Sequence, residues 1–86
     1  PNPLINNDVS ARIVYTLPES GIVKIDVFQA TGQLVSTLIW NIQEKGRNQI
    51  FWDGTNNTGF PVPNGVYFYR IRYGSERLGG RLIINR

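Results

Sequence analysis

The sequence predicts an all-β fold, a β-sandwich of six to seven short antiparallel strands in one domain that spans residues 1–86. Apolar residues recur with period two along several stretches, which is typical of strands with one buried face. Gly, Pro, Asn and Asp, the residues that favour turns, separate those stretches. No stretch repeats its apolar residues at helical spacing over the length of an ordinary helix. Short strands divided by turns favour two packed sheets.

The first two predicted strands cover residues 11–17 and 21–28. Successive side chains of a strand point to opposite faces, so every second residue belongs to the same face. In the second strand the apolar positions alternate with Lys24 and Asp26, which marks the solvent face. The predicted core positions of these two strands are Ile13, Tyr15, Leu17, Val23, Ile25 and Val27.

Four further strands follow from the same alternation. A turn at residues 29–32 leads to a third strand at residues 33–40, and a fourth strand covers residues 47–52. The fifth and sixth strands cover residues 65–73 and 77–85. Four alternate side chains of the fifth strand share one face: Tyr67, Tyr69, Ile71 and Tyr73.

Residues 1–10 are mostly polar and contain Pro1 and Pro3. Proline lacks the N–H that a central strand needs, although it is tolerated at the edge of a sheet. We therefore expect this segment to be either an extended linker or an added edge strand.

The segment between the fourth and fifth strands is a long turn. It opens with Trp52-Asp53-Gly54, has a second glycine five residues later and ends at Gly65-Val66. Glycine and asparagine supply the positive φ angles that such turns need, and proline fixes φ near about −65°. The predicted core and turn residues of this region are Trp52, Asp53, Gly54, Gly59, Gly65, Tyr67 and Tyr69.

The oxygens of Asp53, Asn56 and Asn57 are the candidate metal ligands of the chain. Calcium is bound by about six to eight oxygens, usually from several carboxylates, and this loop has one carboxylate. We expect these side chains to accept hydrogen bonds from nearby backbone N–H groups, as they do in many turns. No metal or other cofactor is predicted.

The composition argues against an enzyme. The chain has no His and no Cys, so the usual zinc sites and the Ser-His-Asp and Cys-His catalytic groups are excluded. The six acidic residues are distributed over different elements, with no predicted pair. No apolar run is long enough for a membrane span. The predicted function is therefore non-catalytic.

The chain carries a net charge of +3 from seven Arg and two Lys against six acidic residues. The arginines are scattered along the sequence, and only Arg70 and Arg72 share a predicted strand face. Charged strand faces commonly discourage pairing with other sheets. We therefore expect a solvated face and no nucleic-acid partner.

Several motifs in the observed order resemble one family. They are Pro1-Asn2-Pro3, Ile13-Val14-Tyr15-Thr16-Leu17-Pro18, Val23-Lys24-Ile25-Asp26-Val27-Phe28 with Thr31-Gly32-Gln33-Leu34-Val35, Trp52-Asp53-Gly54, Gly65-Val66-Tyr67 and Gly80-Arg81-Leu82-Ile83-Ile84. Together they resemble the small immunoglobulin-like domains of the flagellar hook-capping type. Close relatives of those domains are the C-terminal sorting domains of the type IX (Por) secretion system. The resemblance implies a small immunoglobulin-like β-sandwich.

The resemblance also implies a function without chemistry. The expected role is that of a C-terminal module of a secreted or cell-surface bacterial protein, recognised by the secretion machinery for targeting or surface attachment. The expected location is extracellular or at the cell surface. The residues expected to contact a protein partner lie on the last two strands: Phe68, Arg70, Arg72, Gly79, Gly80, Arg81, Leu82, Ile83 and Ile84.

Two alternatives stay open at this point. The chain is alternatively a structural subunit that assembles with copies of itself into an extracellular filament or appendage, with its two ends as edge strands that attach to the next copy. It is alternatively a glycan-binding accessory domain, which would use exposed aromatic side chains. The aromatic residues expected to be exposed are Trp40, Phe60 and Phe68.

Overall fold

The structure of the protein, a computed structural model, describes residues 9–86. In that range the chain forms seven β-strands in two antiparallel sheets, which confirms the all-β prediction. The strands are β1 Val9–Ser10, β2 Arg12–Leu17, β3 Gly21–Phe28, β4 Leu34–Gln43, β5 Gly46–Phe51, β6 Gly65–Tyr73 and β7 Glu76–Ile84. A search of residues 9–86 finds no helix long and apolar enough to cross a membrane.

Five strands form the larger sheet in the order β1-β7-β6-β3-β4, and β2 and β5 form the smaller one. The smaller sheet pairs Arg12 with Phe51 at one end and Leu17 with Gly46 at the other. The alternation predicted for β2 is confirmed, because its residues are exposed and buried in turn along the whole strand. The core therefore lies between the inner faces of the two sheets.

The core is a single cluster of apolar side chains drawn from both sheets and from the loops between them. It includes all six positions predicted on the first two strands, and also Trp52 and Tyr67. The buried apolar residues of the described chain are Ala11, Ile13, Tyr15, Leu17, Val23, Ile25, Val27, Val35, Trp52, Val62, Tyr67, Ile71, Leu82 and Ile84.

Some strand limits differ from the prediction for a physical reason. Strand β4 continues to Gln43, past the predicted end at residue 40, because backbone pairing with β3 runs on to Gly21 opposite Gln43. Ladder hydrogen bonds do not depend on an apolar side chain, so the polar residues Asn41 and Gln43 give no sequence signal for this extension. Strand β5 ends at Phe51, and the buried Trp52 follows it.

An edge strand was one of the two predictions for residues 1–10, and the last two residues of that segment do form one. Val9 pairs with Ile84 and Ser10 pairs with Ile83, which places β1 at one edge of the larger sheet. The predicted attachment segment Pro1-Asn2-Pro3 lies outside the described residues.

The prediction that the last strand is an edge strand needs correction. Strand β7 pairs with β6 along its whole length and with β1 at Ile83 and Ile84, so it lies inside the sheet at its C-terminal end. In the part of the chain that the structure describes, its outer edge is unpaired from Glu76 to Leu82. Among residues 9–86, only that N-terminal part of β7 is therefore unpaired on its outer side.

Candidate functional site

The outer face of the larger sheet, which points away from the core, carries several of the predicted partner-binding residues. On β6, Phe68, Arg70 and Arg72 alternate with the core residues Tyr67 and Ile71. Because side chains alternate across a strand, these three side chains lie on the outer face.

Antiparallel pairing extends this outer face across four strands in rows of directly opposed residues. Read from β4 to β7, the rows are Trp40, Lys24, Arg72 and Arg77; Thr37, Asp26, Arg70 and Gly79; and Leu34, Phe28, Phe68 and Arg81. We call the surface formed by these rows the basic face. Its cations are Lys24, Arg70, Arg72, Arg77 and Arg81.

The sequence prediction missed this clustering because Arg77 and Arg81 are on a different strand from Arg70 and Arg72. The signal was nevertheless present. Tyr73 pairs with Glu76 across the two-residue turn Gly74-Ser75. Two-residue hairpin loops of this kind fix the strand register, and that register sets Arg72 directly opposite Arg77.

One carboxylate, that of Asp26, lies at the centre of the basic face. Asp26 is 3% exposed, although the alternation of β3 had placed it on the solvent face. The hydroxyl of Thr37 donates a hydrogen bond of 2.7 Å to its Oδ1 atom. The Nζ atom of Lys24 and an Nη atom of Arg72 each lie 3.8 Å from its Oδ2 atom. Long cationic side chains that fold over Asp26 therefore explain its burial.

Aromatic side chains border the basic face. The Lys24 ammonium lies 4.2 Å from the centre of the Trp40 ring, and the Arg70 guanidinium lies 4.9 Å from that of Phe28. These distances are in the range of cation–π attraction. Trp40 is 68% exposed and Phe68 is 38% exposed, and Phe60, on the long turn, is exposed as well, so the predicted exposure of all three is confirmed.

The predicted partner-binding residues of β7 fall into two groups. Leu82 and Ile84 are core residues, so their side chains are not available to a partner. Arg81 and Ile83 are exposed on the outer face.

The two glycines of β7 make room for Tyr69. A Cβ atom at Gly80 would lie 2.7 Å from the Tyr69 ring, and one at Gly79 would lie 3.1 Å from the Tyr69 carbonyl oxygen. Gly79 and Gly80 therefore have a packing role. Gly79 is directly opposite Arg70 on the neighbouring strand and has no side chain to cover it.

Local hydrogen bonds stabilise the long turn at Asp53 and Asn56, as predicted, whereas Asn57 bonds a distant residue on β4. The carboxylate of Asp53 accepts bonds from the backbone N–H and the hydroxyl of Thr55, at 3.1 and 2.6 Å. Asn56 Oδ1 accepts a bond of 3.0 Å from the N–H of Thr58, and Asn57 Oδ1 accepts one of 3.0 Å from the N–H of Thr37. The oxygens considered as calcium ligands therefore serve the fold of the turn.

The C-terminal residue Arg86 holds this turn from the other end of the chain. Its guanidinium donates hydrogen bonds of 2.7 Å to the carbonyl of Val62 and 2.9 Å to that of Gly54. Its backbone N–H donates a bond of 3.0 Å to Asn64 Oδ1. The prediction missed this contact because nothing in the sequence links the two segments.

Gly54 is required at this contact. Its φ angle is 78°, a left-handed value that residues with a Cβ atom rarely adopt. A Cβ atom here would also clash with the Arg86 guanidinium and lie 3.2 Å from Ile84 Cδ1. The predicted positive φ angles at Gly59 and Gly65 are likewise present, at 87° and 152°.

An apolar hollow of about 290 Å³ opens between the two sheets. Its lining includes Tyr15, Leu17 and Tyr73 from the core and Leu78, which is 64% exposed although it lies on the inner face of β7.

Within residues 9–86, no three His, Cys, Asp or Glu side chains form a group that could hold a metal ion.

Comparison with known proteins identifies a family. The profile of the FlgD Ig-like domain matches residues 4–76 of the chain. A search of curated proteins found no match.

A solved structure supports the fold. The crystal structure of FlgD from P. aeruginosa is similar, with a TM-score of 0.69, 23% sequence identity and 90% of this chain covered. The chain spans 60% of the length of that FlgD chain. The family match covers most of the sequence, and the chain belongs to the FlgD Ig-like domain family.

Proposed function

We propose that the chain is a non-catalytic structural module of an extracellular assembly, in which it works by binding other protein subunits. The match of residues 4–76 to the FlgD Ig-like domain carries this proposal. This is the flagellar hook-capping type that the sequence motifs resemble, and hook capping is a role in assembly rather than in chemistry. The chain would act as a single domain outside the cell, as its family resemblance implies.

Exposed apolar side chains support a role in protein contact. Trp40 and Ile42 on β4 are each 68% exposed, and Ile22, which is paired with Ile42 on β3, is 61% exposed. Large apolar side chains grouped at the surface are typical of interaction sites. Two strand edges add further contact sites, since β4 lies at one end of the larger sheet and the outer side of β7 is open from Glu76 to Leu82 within residues 9–86.

These two edges suggest how copies of the chain would join. If β4 of one copy pairs with the open part of β7 of the next, the larger sheets become continuous. Such a head-to-tail contact uses different surfaces of each copy, so it extends into a filament when the rotation between copies does not close a ring. The first candidate mode of assembly is therefore growth through the sheet edges.

Analytical ultracentrifugation of the chain over a wide concentration range tests this mode. We expect mass to increase with concentration and Ile42→Lys to reduce the association, because a lysine on an edge strand opposes pairing. Phe51→Lys is the matched control, since it makes the same kind of change on β5 at similar exposure. A monomer at every concentration would exclude self-association and leave other proteins as the partners.

Secretion targeting stays a prediction, because the family match concerns the FlgD Ig-like domain and gives it no separate support. Fusion of residues 1–86 to a reporter in a bacterium with the type IX system tests it, and a reporter retained in the periplasm counts against it. Glycan binding also stays a prediction, and unchanged Trp40 fluorescence across a panel of polysaccharides would remove it.

A further inference from the structure

The positive charge of the molecule is concentrated on the basic face. Within the described residues, its five cations stand against one carboxylate, that of Asp26, a formal balance of +4. Because the whole chain carries +3, the remaining charged residues sum to −1. One side of one sheet therefore accounts for the whole net charge of the protein.

This arrangement has a cost in the isolated chain. Arg72 and Arg77 are directly opposed on β6 and β7, and like charges in that position destabilise a sheet. The Nε atoms of Arg70 and Arg72 are buried and have no hydrogen-bond partner in the part of the chain that the structure describes. Buried donors without partners are rare in folded proteins, so these two atoms are a further cost of the arrangement. An anionic group bound over the arginines would relieve the repulsion between them.

The apolar residues beside the arginines indicate the class of partner. Trp40, Ile22 and Ile42 are exposed at one end of the basic face. Two of them, Ile22 and Trp40, line a surface depression together with Lys24, Arg72 and Arg77. Trp and Arg are the residues most often found at the energetic centres of protein interfaces. Aliphatic side chains such as Ile22 offer little to a phosphate backbone or to a stacked base. The combination therefore favours an acidic protein surface over a nucleic acid.

A second copy bound through the same face is disfavoured. A two-fold contact would place the same patch on both sides of the interface, so cations would meet cations. The partner must instead present carboxylates where this chain presents arginines.

We propose that the basic face docks an acidic and apolar segment of a different protein subunit, whose carboxylates pair with Arg70, Arg72 and Arg77 and whose apolar side chains cover Trp40. The inference depends on the proposed assembly function in one respect, namely that the partner is a protein. Arginine forks bind carboxylates with two parallel hydrogen bonds, which gives such a contact orientation as well as affinity.

Binding of defined probes to the full chain, followed by Trp fluorescence and calorimetry, tests this inference. The probes are a short peptide in which Glu alternates with Leu, the same peptide with Lys for Glu, an oligouridylate and heparin. We expect the Glu peptide to bind most tightly and its affinity to fall as salt is raised. The double variant Arg77→Glu with Arg81→Glu should weaken its binding by about tenfold or more, since both residues are exposed on the basic face.

The matched control is Arg12→Glu with Arg47→Glu, which makes the same change of charge at exposed positions of the smaller sheet. It should leave binding of the Glu peptide within about twofold. Equal loss in the two double variants, tighter binding of oligouridylate or heparin, or no binding of the Glu peptide would each overturn the inference. Self-association through the sheet edges is measured separately, by ultracentrifugation of the native chain and of Ile42→Lys.

Discussion

Trp52 joins the long turn to the core. Its side chain is 2% exposed. The centres of the Trp52 and Tyr67 rings are 5.1 Å apart and their planes are inclined at 72°, an edge-to-face arrangement. The indole N–H donates a hydrogen bond of 2.8 Å to the carbonyl of Thr55. One side chain therefore contributes apolar burial, an aromatic pair and a backbone hydrogen bond at the start of the turn.

Replacing Trp52 should destabilise the domain strongly. We predict that Trp52→Ala lowers the free energy of unfolding by about 3–5 kcal/mol, because it leaves a large cavity and an unpaired carbonyl. Trp40→Ala is the control, and as a change of an exposed residue it should cost about 0.5 kcal/mol or less. Urea unfolding of both variants measures the difference, and similar midpoints would show that Trp52 does not anchor the core.

Tyr15 makes the stability depend on alkaline pH. Burial raises the pKa of the Tyr15 phenol above its ordinary value of 10.0. The folded chain therefore holds this proton more tightly than the unfolded chain does. The resulting stabilisation is complete below the unfolded-state pKa and is lost as the pH rises through the folded-state pKa.

A phenylalanine at this position cannot ionise, so Tyr15→Phe should flatten the decline in stability above about pH 10. At neutral pH the variant should lose only about 0.5–1.5 kcal/mol, because the bond from the phenol to Gln43 is 3.3 Å long and only partly buried. Urea unfolding as a function of pH checks both effects. Parallel pH profiles for variant and native chain would contradict the role assigned to Tyr15.

At the scale of elements, the long turn and the C-terminus form one unit. Val62 N–H donates a bond of 2.8 Å to the carbonyl of Gly54, and the Arg86 guanidinium binds the carbonyls of both residues. The last residue of the chain therefore fixes the two sides of the turn against each other.

Arg86→Ala should loosen this turn without unfolding the sheets. We expect faster hydrogen exchange at the Val62 amide and a loss of about 1–3 kcal/mol of local stability, as for hydrogen bonds from a charged donor. Amides in the centre of β3 should keep their protection. Arg47→Ala, at an exposed site on β5, is the control and should change neither set of amides. Equal hydrogen exchange at the Val62 amide in both variants would show that Arg86 does not hold the turn together.

The strands themselves were predictable from side-chain alternation, whereas contacts between distant segments were not. Ile13, Tyr15 and Leu17 alternate with exposed residues, so the sequence alone showed which face of β2 is buried. The bonds of Arg86 gave no such signal, because they depend on which segments the topology brings together. The opposition of Arg72 and Arg77 is an intermediate case, since it follows from the two-residue turn after Tyr73.

At the scale of the whole molecule, the chain is a small sandwich without a disulfide bond that leaves a charged and aromatic face open. Domains of this size have little core to spare, and many depend on partners or crosslinks. The concentration of cations on one face, and the strand edges of the same sheet that are unpaired within residues 9–86, both support the proposed role in assembly. Export of the protein and its assembly with other subunits can be measured separately.

The most direct measurement compares the native protein with a variant that carries Ile42→Lys and Arg77→Glu, in the organism that makes it. The amount of protein is determined both outside the cell and in the isolated extracellular assembly. We predict that the variant is exported in the normal amount but is incorporated into the assembly in a much smaller amount. Loss of export would instead assign this sheet to targeting, and unchanged incorporation would contradict a role in assembly.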